Sequence, residues 1–321
     1  MDALTNLFTL TQSWLYETLL QPLMFALGLS NYFEDAYAAT AWFMVGVIQI
    51  IILLAIVGPL QRWRPVQAMD SPSERASIRV DILYTLIHRL GFFRLALFFT
   101  LQPWFDDAFG VLRTAGLGTL HLDQIWPGVT DYAIFSLAIY LLVFDFLGYW
   151  LHRAQHQFEW WWQLHALHHS QRQMTMWSDN RNHLLDSILT DSVIVLVAQL
   201  IGVAPEQFIL IVAFTQLSES FQHANIRLGF GRIGERLWVS PRFHRLHHSI
   251  GIGHESHGPK TLGGHNFGIL LPFWDMLFGT ANFEQRFDAT GIRDQVEKNR
   301  DYGAGFWSQQ WLGLKRLARR G

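Results

Sequence analysis

The sequence predicts an all-α protein in which a transmembrane helical base of about four spans, including one helical hairpin, carries a cytosolic histidine-rich helical cap. Half of the 321 residues are apolar, only 16% are charged, and the apolar residues are gathered in long runs. Histidines stand in close clusters at helical spacing between and after these runs. We therefore expect an integral, multi-pass membrane protein.

The charge balance and the missing cysteines exclude several classes of function. With 24 Lys and Arg against 26 Asp and Glu, the chain has no basic field for a phosphate backbone, so we expect no nucleic-acid partner. The absence of cysteine rules out disulfides, thiolate zinc sites and cysteine-ligated iron–sulfur clusters. Any metal must therefore bind His, Asp, Glu or backbone oxygen.

Apolar runs predict three spans in the first half of the chain. Ala41 to Leu60 is long enough to cross a bilayer core of about 30 Å. Acidic residues precede it and arginines follow it, which places residues 61–80 in the cytoplasm by the positive-inside rule. A second run extends from Ile82 to Trp104, and Tyr132 to Leu151 then returns the chain inward. Residues 12–30 could also span, and the sequence leaves this open.

Three basic residues interrupt the second run, and we expect them to snorkel to its cytoplasmic end. They are His88, Arg89 and Arg94.

A helical hairpin is predicted over residues 184–222, because two apolar limbs are separated by the helix-breaking segment Gly202-Val203-Ala204-Pro205. Residues 1–151 then form the N-terminal and transmembrane helices. Residues 152–183 and 223–321 form the two parts of the cap. The last turns, in which aromatic residues alternate with Lys and Arg, predict a helix on an anionic membrane surface.

The histidine clusters are the strongest functional signal. Residues 152–169 and 244–248 cover 23 of the 321 positions and hold eight of the 15 histidines. Their motifs are H-R-A-Q-H, H-A-L-H-H and H-R-L-H-H, with His152, His156, His165, His168, His169, His244, His247 and His248. Spacings of three and four place side chains on one helix face, so each cluster can direct imidazoles to a common point. A catalytic zinc needs only three protein ligands, so two metal ions explain the eight clustered histidines better than one. Imidazole suits both iron and zinc.

Further residues are predicted to join or support this site. His223 ends the hairpin four residues after Glu219, and both are candidate ligands. Asp145 precedes the first cluster on the same helix face, and we expect it to accept a hydrogen bond from a ligand's other ring nitrogen. The other supporting candidates are Tyr149, Asn180, Arg181, His183, Asn225 and Asn266. His254, His257 and His265 lie in a glycine-rich loop and remain additional candidates.

These motifs, in this order and separated by a membrane hairpin, resemble the fatty acid hydroxylase and sterol desaturase superfamily. The resemblance extends from about Asp145 to Thr280 and includes W-W-Q-L-H-A-L-H-H-S, S-P-R-F-H-R-L-H-H-S, the H-A-N at His223, and N-F-G-I-L-L-P-F-W-D-M-L-F-G-T. Two positions depart from the family: Leu184 stands where Pro is frequent, and His265 precedes Asn266 where Asp is frequent.

The resemblance implies a membrane-bound di-iron oxygenase with its metal site on the cytoplasmic side. Its substrates would be O2 and a lipid, fatty acyl or sterol-like molecule, and a separate electron-transfer protein would supply two electrons. Iron would be the native metal, with zinc able to replace it on purification. Hydroxylation is favoured over desaturation.

Two other classes compete with this hypothesis. A zinc-dependent membrane hydrolase would also use histidine-rich helices, but H-R-A-Q-H lacks the glutamate of H-E-x-x-H that serves as general base. A metal carrier would need polar residues through its spans, and only Asp186 and Asp191 offer them on the first hairpin limb. The G-x-G-x-x-G match at Gly229 follows a membrane hairpin, so we interpret it as a loop and not as a nucleotide site.

Overall fold

The computed structural model describes residues 2–69, 71–250 and 264–319, and within these ranges the regular structure is helical. No strand forms there, although Ser249 and Thr290 make one isolated antiparallel bridge. The α-helices are α1 Asp2–Leu15, α2 Gln21–Ala26, α3 Phe33–Ile52, α4 Gly58–Trp63, α5 Pro72–Arg89, α6 Phe92–Thr100, α7 Gln102–Thr114, α8 Ala133–Gln157, α9 Glu159–His169, α10 Leu184–Ile201, α11 Pro205–Gln222, α12 Gly231–Leu237, α13 Pro241–His247, α14 Phe273–Leu277, α15 Arg293–Glu297 and α16 Phe306–Arg319.

Three helices in the described part of the chain are long and apolar enough to cross a membrane, which agrees with the predicted helical base. They are the continuous helix Ser30–Trp63, which includes α3 and α4, and the helices α8 and α10. A fourth span is possible if α5 and α6, which bend by 52° at their junction, count as one. Gly91 makes this bend with φ +81°, a left-handed conformation that glycine adopts without strain. Residues 12–30 do not form a candidate span.

Arg89 corrects the expectation that the basic residues of the second run snorkel to the membrane surface. Its side chain is buried, and its guanidinium pairs with Asp179 at 2.8 Å. The same nitrogen donates to Ser220 Oγ on α11 at 2.8 Å. Arg89 therefore ties three separate segments together inside the protein, where an unpaired charge would be costly.

The hairpin forms as predicted by its breaker residues. Gly202 ends α10 with φ +72°, and Pro205 begins α11 at the first helical position, where its missing N–H costs nothing. The second limb, α11, is not among the helices apolar enough to span, because polar residues such as Gln216 and Glu219 occupy its last turns.

The cap is built on the ends of these helices. Helix α8 continues without a break from the apolar base into the histidine-bearing turns, and α9 packs beside it. The terminal helix α16 packs on α9 and α5 through polar side chains: Gln310 donates to Tyr84 Oη at 2.8 Å, and Arg316 donates to the Gln163 carbonyl at 3.2 Å. Its opposite face leaves Trp307, Trp311 and Leu314 exposed. Contact of this face with a membrane stays a prediction, as does the four-segment division of the chain.

Candidate metal centre

Nine buried histidines converge into two adjoining groups. In each group, one nitrogen per residue lies within 4.8 Å of those of the other members. The first group is His152, His156, His165, His169 and His247. The second group is His168, His223, His244 and His248. The structure thus brings together every clustered histidine of the sequence and adds His223 from the hairpin.

The histidine motifs of α9 and α13 each contribute imidazoles to both groups. Residues four apart share a helix face, so each i, i+4 pair enters one group. His165 and His169 of α9 enter the first group, whereas His244 of α13 and the adjoining His248 enter the second. The remaining histidine of each of these two motifs enters the opposite group: His168 of α9 lies in the second group, and His247 of α13 lies in the first. The two groups are therefore interleaved along the same helices.

Backbone carbonyls and one carboxylate orient several rings. His152 Nδ1 donates to the Phe267 carbonyl at 3.0 Å, and His247 Nδ1 donates to the His265 carbonyl at 2.7 Å. His223 Nδ1 donates to the Glu219 carbonyl at 2.8 Å. A proton held on Nδ1 leaves the Nε2 lone pair free to face the centre of the group, which is how metal-bound imidazoles are held.

The spacing of the Nε2 atoms fits a shared metal ion. In the second group His223 Nε2 lies 3.2 Å from His168 Nε2 and 3.0 Å from His244 Nε2. In the first, His247 and His169 Nε2 are 3.2 Å apart. Two imidazoles bound at about 2.1 Å would be about 3.0 Å apart at right angles and about 3.4 Å apart at the tetrahedral angle. The donor atoms are therefore close to ligand positions already.

Burial also favours the neutral form, which metals bind, in five of the grouped imidazoles. The pKa values of these rings lie well below the ordinary 6.5, chiefly because burial disfavours the charged form and secondly because neighbouring histidines repel it. The residues concerned are His168, His169, His244, His247 and His248. The buried His165 Nε2 has no hydrogen-bond partner among the described residues, and a metal ion in the first group would supply one. The nitrogen-only donor set suits iron, zinc or copper and not magnesium or calcium.

Asp186 is a supporting residue that the sequence analysis did not place at the metal centre. It is buried at the start of α10, and its Oδ2 accepts from His165 Nδ1 at 3.1 Å. Its other oxygen accepts from Gln155 Nε2 at 2.8 Å and from Trp161 Nε1 at 2.7 Å. The available signal was an acidic residue in the first turn of an otherwise apolar limb, where a buried carboxylate needs partners.

Asp186 has the role that the sequence analysis predicted for Asp145, and Asp145 lies one contact further from the histidines. Its carboxylate accepts from the Leu270 N–H at 2.7 Å and from Trp274 Nε1 at 2.8 Å, and not from a histidine. These bonds hold the loop whose Phe267 carbonyl receives His152 Nδ1–H. Asp275, which the sequence analysis overlooked, supports the same loop by accepting from the N–H groups of Phe267 and Gly268 at 2.8 Å each.

The remaining supporting candidates hold the backbone around the centre. Tyr149 is buried one turn before His152, and its hydroxyl lies 3.0 Å from Thr280 Oγ1. Asn225 accepts from the Val66 and Gln67 N–H groups.

Asn266 and Arg181 have similar backbone and framework roles. Asn266 has φ +62° and donates to the Phe243 carbonyl of α13 at 2.9 Å. Arg181 pairs with Asp81 of α5, and Asn180 donates to Asp179 at 3.1 Å.

Three further candidates lie outside both histidine groups. The carboxylate of Glu219 is not among the clustered donor atoms; only its backbone carbonyl contacts His223. His183 caps α10, since its Nδ1 accepts from the Leu185 N–H at 3.1 Å and its Nε2 donates to the Gln310 carbonyl at 2.9 Å. His265 contributes its carbonyl to His247. His254 and His257 lie outside the described residues.

A large cavity of about 1130 Å³ opens beside the second histidine group. Its wall includes His168, His223 and His244, together with apolar side chains of the membrane base such as Leu23 and Phe98. This volume exceeds the roughly 300–1,000 Å³ of usual small-molecule pockets. The cavity is therefore large enough for a lipid that reaches from the apolar helices to the histidines.

Comparisons with known proteins agree with this geometry. Residues 137–280 match the fatty acid hydroxylase family model, and this range contains all nine converging histidines and extends through α14. The ornithine lipid hydroxylase OlsE of Rhizobium tropici is 26% identical over 259 residues, which cover 80% of this chain and 72% of that protein. No solved structure matches the chain. Residues 137–280 of this chain are therefore similar to the fatty acid hydroxylase domain.

Proposed function

We propose that this protein is a membrane-bound di-iron oxygenase that hydroxylates a membrane lipid with O2 and two electrons from a separate electron-transfer protein. The observation that carries the proposal is the pair of adjoining histidine groups beside one lipid-sized cavity. A C–H bond, O2, two electrons and two protons give an alcohol and one water. The match to the fatty acid hydroxylase family model and the similarity to OlsE support an oxidoreductase that acts on lipid.

Iron is the metal that best fits both the donor set and the proposed reaction. Imidazole nitrogens hold iron, and groups of five and four histidines both exceed the three protein ligands that a catalytic zinc uses. Iron in these positions would supply the redox chemistry that oxidises an unactivated carbon. The protein's own part is to hold neutral imidazoles at fixed positions, through contacts such as His165–Asp186 and His152–Phe267.

Selectivity would come from how the cavity holds the substrate. Apolar side chains on α2 and α6 line the part of the wall that faces the membrane base, and His168 and His223 line the part at the cap. A lipid that spans these walls is held with one carbon near the metals, and such orientation contributes most of the selectivity in reactions of unactivated carbons. Burial of the histidines by the cap also limits access of bulk water to that carbon.

We take an ornithine-type amino lipid as the first substrate to test. OlsE is named as an ornithine lipid hydroxylase, and the chain aligns with 72% of its length. The cytoplasmic side remains the proposed location of the metal centre, because arginines follow the first span. A soluble cytoplasmic reductase can reach that side.

The decisive experiment combines metal analysis with product detection. The full-length chain would be expressed in iron-replete cells that make ornithine lipid, purified in detergent, and analysed for metal, O2 consumption and hydroxylated lipid. We expect about two irons per chain and a lipid product heavier by one oxygen, labelled from ¹⁸O2. Zinc alone, with lipid hydrolysis and no O2 consumption, would instead identify the competing zinc hydrolase.

A further inference from the structure

Two oppositely charged side chains face the cavity without a direct ion pair or a hydrogen bond in the described part of the chain. Arg94 on α6 stacks its guanidinium over the Trp42 ring, 3.5 Å from the ring centroid. Asp191 lies on α10, and both residues line the cavity. Neither side chain makes a hydrogen bond or a direct ion pair with any residue in the described ranges. Each therefore retains unused hydrogen-bonding capacity inside the helical base.

The missing contacts are informative because charges inside a membrane protein are costly. Ionisable groups at this depth are normally paired or functional. The charges of Arg94 and Asp191 attract each other, yet the side chains stop short of a direct contact. Arg89, on the neighbouring helix, shows the alternative in this same protein, since it is paired with Asp179 at 2.8 Å. A gap between two opposite charges suits a molecule that carries both signs.

The position of the pair relates it to the metal centre. Asp191 follows Asp186 by five residues on α10, and Asp186 contacts His165. At 1.5 Å per residue, the two carboxylates differ by about 7.5 Å along the helix axis. Ser187 and Thr190 line the cavity between them. A polar strip therefore connects the metal centre to the charged pair. A plain hydrocarbon chain could not form hydrogen bonds with it.

We propose that Arg94 and Asp191 bind the zwitterionic head group of an amino-acid lipid, with Arg94 binding its carboxylate and Asp191 binding its ammonium group. The planar guanidinium can donate two parallel hydrogen bonds to a carboxylate, and its stacking on Trp42 holds it in place. Asp191 offers the matching acceptor for an ammonium group. This inference rests on the proposed function, because it assumes that the lipid substrate enters this cavity.

The assignment of one charge to each residue can be tested with modified lipids. Equilibrium binding would be measured on the purified, metal-loaded full-length protein without an electron donor, so that no turnover occurs. The probes are ornithine lipid, which carries one ammonium and one carboxylate, the same lipid acetylated on its side-chain amine, and its carboxyl methyl ester. Free ornithine is the fourth probe and separates recognition of a lipid from recognition of the amino acid alone.

The variants are Arg94→Gln and Asp191→Asn, with Arg94→Lys and Asp191→Glu as charge-retaining versions. Arg113→Gln and Asp107→Asn are matched controls, because both residues are exposed on α7 and lie outside the cavity. Neither neutral variant should unfold the protein, because each removes a charge that makes no direct ion pair. An unchanged metal content would verify that both variants are folded.

Loss of one charged hydrogen bond predicts about 10- to 100-fold weaker binding of ornithine lipid by either neutral variant. The wild type should bind the acetylated lipid and the methyl ester more weakly than ornithine lipid, by a similar factor. Acetylation should cost the Asp191→Asn variant nothing further, and esterification should cost the Arg94→Gln variant nothing further. The charge-retaining variants should recover part of the affinity, and free ornithine should bind too weakly to detect.

Unchanged affinity in both neutral variants would overturn the proposal, as would equal sensitivity of each variant to both lipid modifications. A wild type that does not bind ornithine lipid would also overturn it. Hydroxylation of a different, uncharged lipid by that same wild type would leave the proposed oxygenase function intact. The two conclusions can therefore fail separately.

Discussion

Nδ1 of His165 lies 3.1 Å from Oδ2 of Asp186, and both side chains are buried. The carboxylate is the meeting point of three donors, because Gln155 and Trp161 bind its other oxygen. These contacts join α8 and α9 to the carboxylate of Asp186 on α10, and they fix the orientation of the His165 ring, a candidate metal ligand. Asp186 is thus a positioning residue for the first histidine group.

Replacement of Asp186 by Asn should weaken metal binding at the first group. The amide keeps the size of the side chain but removes the charge that holds the His165 proton, and loss of such a partner costs about 10- to 100-fold in metal affinity. Competition with a chelator would measure the affinity, and Asp107→Asn on the exposed surface of α7 is the control. An unaltered affinity in Asp186→Asn would show that the contact does not tune the metal site.

The two histidine groups should lose metal separately. His168→Ala removes a ligand of the second group, whereas His156→Ala removes one of the first. Each variant should therefore retain about one of two metals and lose hydroxylation, because a group short of one ligand binds its metal more weakly. Metal content per chain measures this directly.

His121→Ala provides the matched control, since His121 is exposed and belongs to neither group. It should keep both metals and full activity. Normal metal content in His168→Ala would contradict the assignment of the second group.

Glu219→Gln should leave the metal content unchanged, because the structure places the carboxylate outside both groups of donor atoms. Only the backbone carbonyl of Glu219 contacts His223, and the substitution preserves it. The same measurement applied to His223→Ala, which removes a grouped donor, should show a loss. If Glu219→Gln lost one metal, the carboxylate would have to move into the site when metal binds.

Docking of α16 should loosen as the pH falls, through His183. Burial lowers the pKa of His183 below its ordinary value of 6.5, so the unfolded chain binds this proton more readily than the folded chain. Stability then rises with pH and is lost as the pH falls below about 6.5, by at most about 1.4 kcal/mol per pH unit. Protonation would also remove the Nδ1 lone pair that accepts from Leu185.

Hydrogen exchange of residues 306–319 between pH 7.5 and 5.5 would detect this change, because His183 Nε2 donates to the Gln310 carbonyl. The metal-loaded protein is the proper sample, since bound metal keeps the ligand histidines neutral. His183→Gln should abolish the added pH dependence in this segment. Equal pH dependence in both proteins would assign it to another group.

Gly313→Ala should also displace α16. An added Cβ would lie 2.8 Å from His183 Nε2, which is closer than real contacts allow. Such overpacking costs about 1–3 kcal/mol, so we expect a lower melting temperature. Gly305→Ala is the control, because its Cβ would meet nothing nearer than Ser308 Oγ at 4.0 Å. Equal melting temperatures in the two variants would mean that α16 can shift at no cost.

Much of the helical base could be predicted from the sequence, because long apolar runs and breakers such as Gly202 and Pro205 act locally. The bend between α5 and α6 could not, since a run with inserted basic residues is also compatible with a straight helix. Arg89 shows why: whether it snorkels or pairs depends on Asp179, which lies 90 residues away in the chain.

The sequence by itself determined the chemistry of the centre, because the histidine types and their spacings of three and four are local properties of helices. Only the tertiary structure decided which imidazoles share a metal position. It also decided that Asp186, and not Asp145, accepts the hydrogen bond from His165. It also decided that Arg94 and Asp191 face one cavity. These relationships depend on how helices distant in the chain pack together, and local spacing carries no record of that packing.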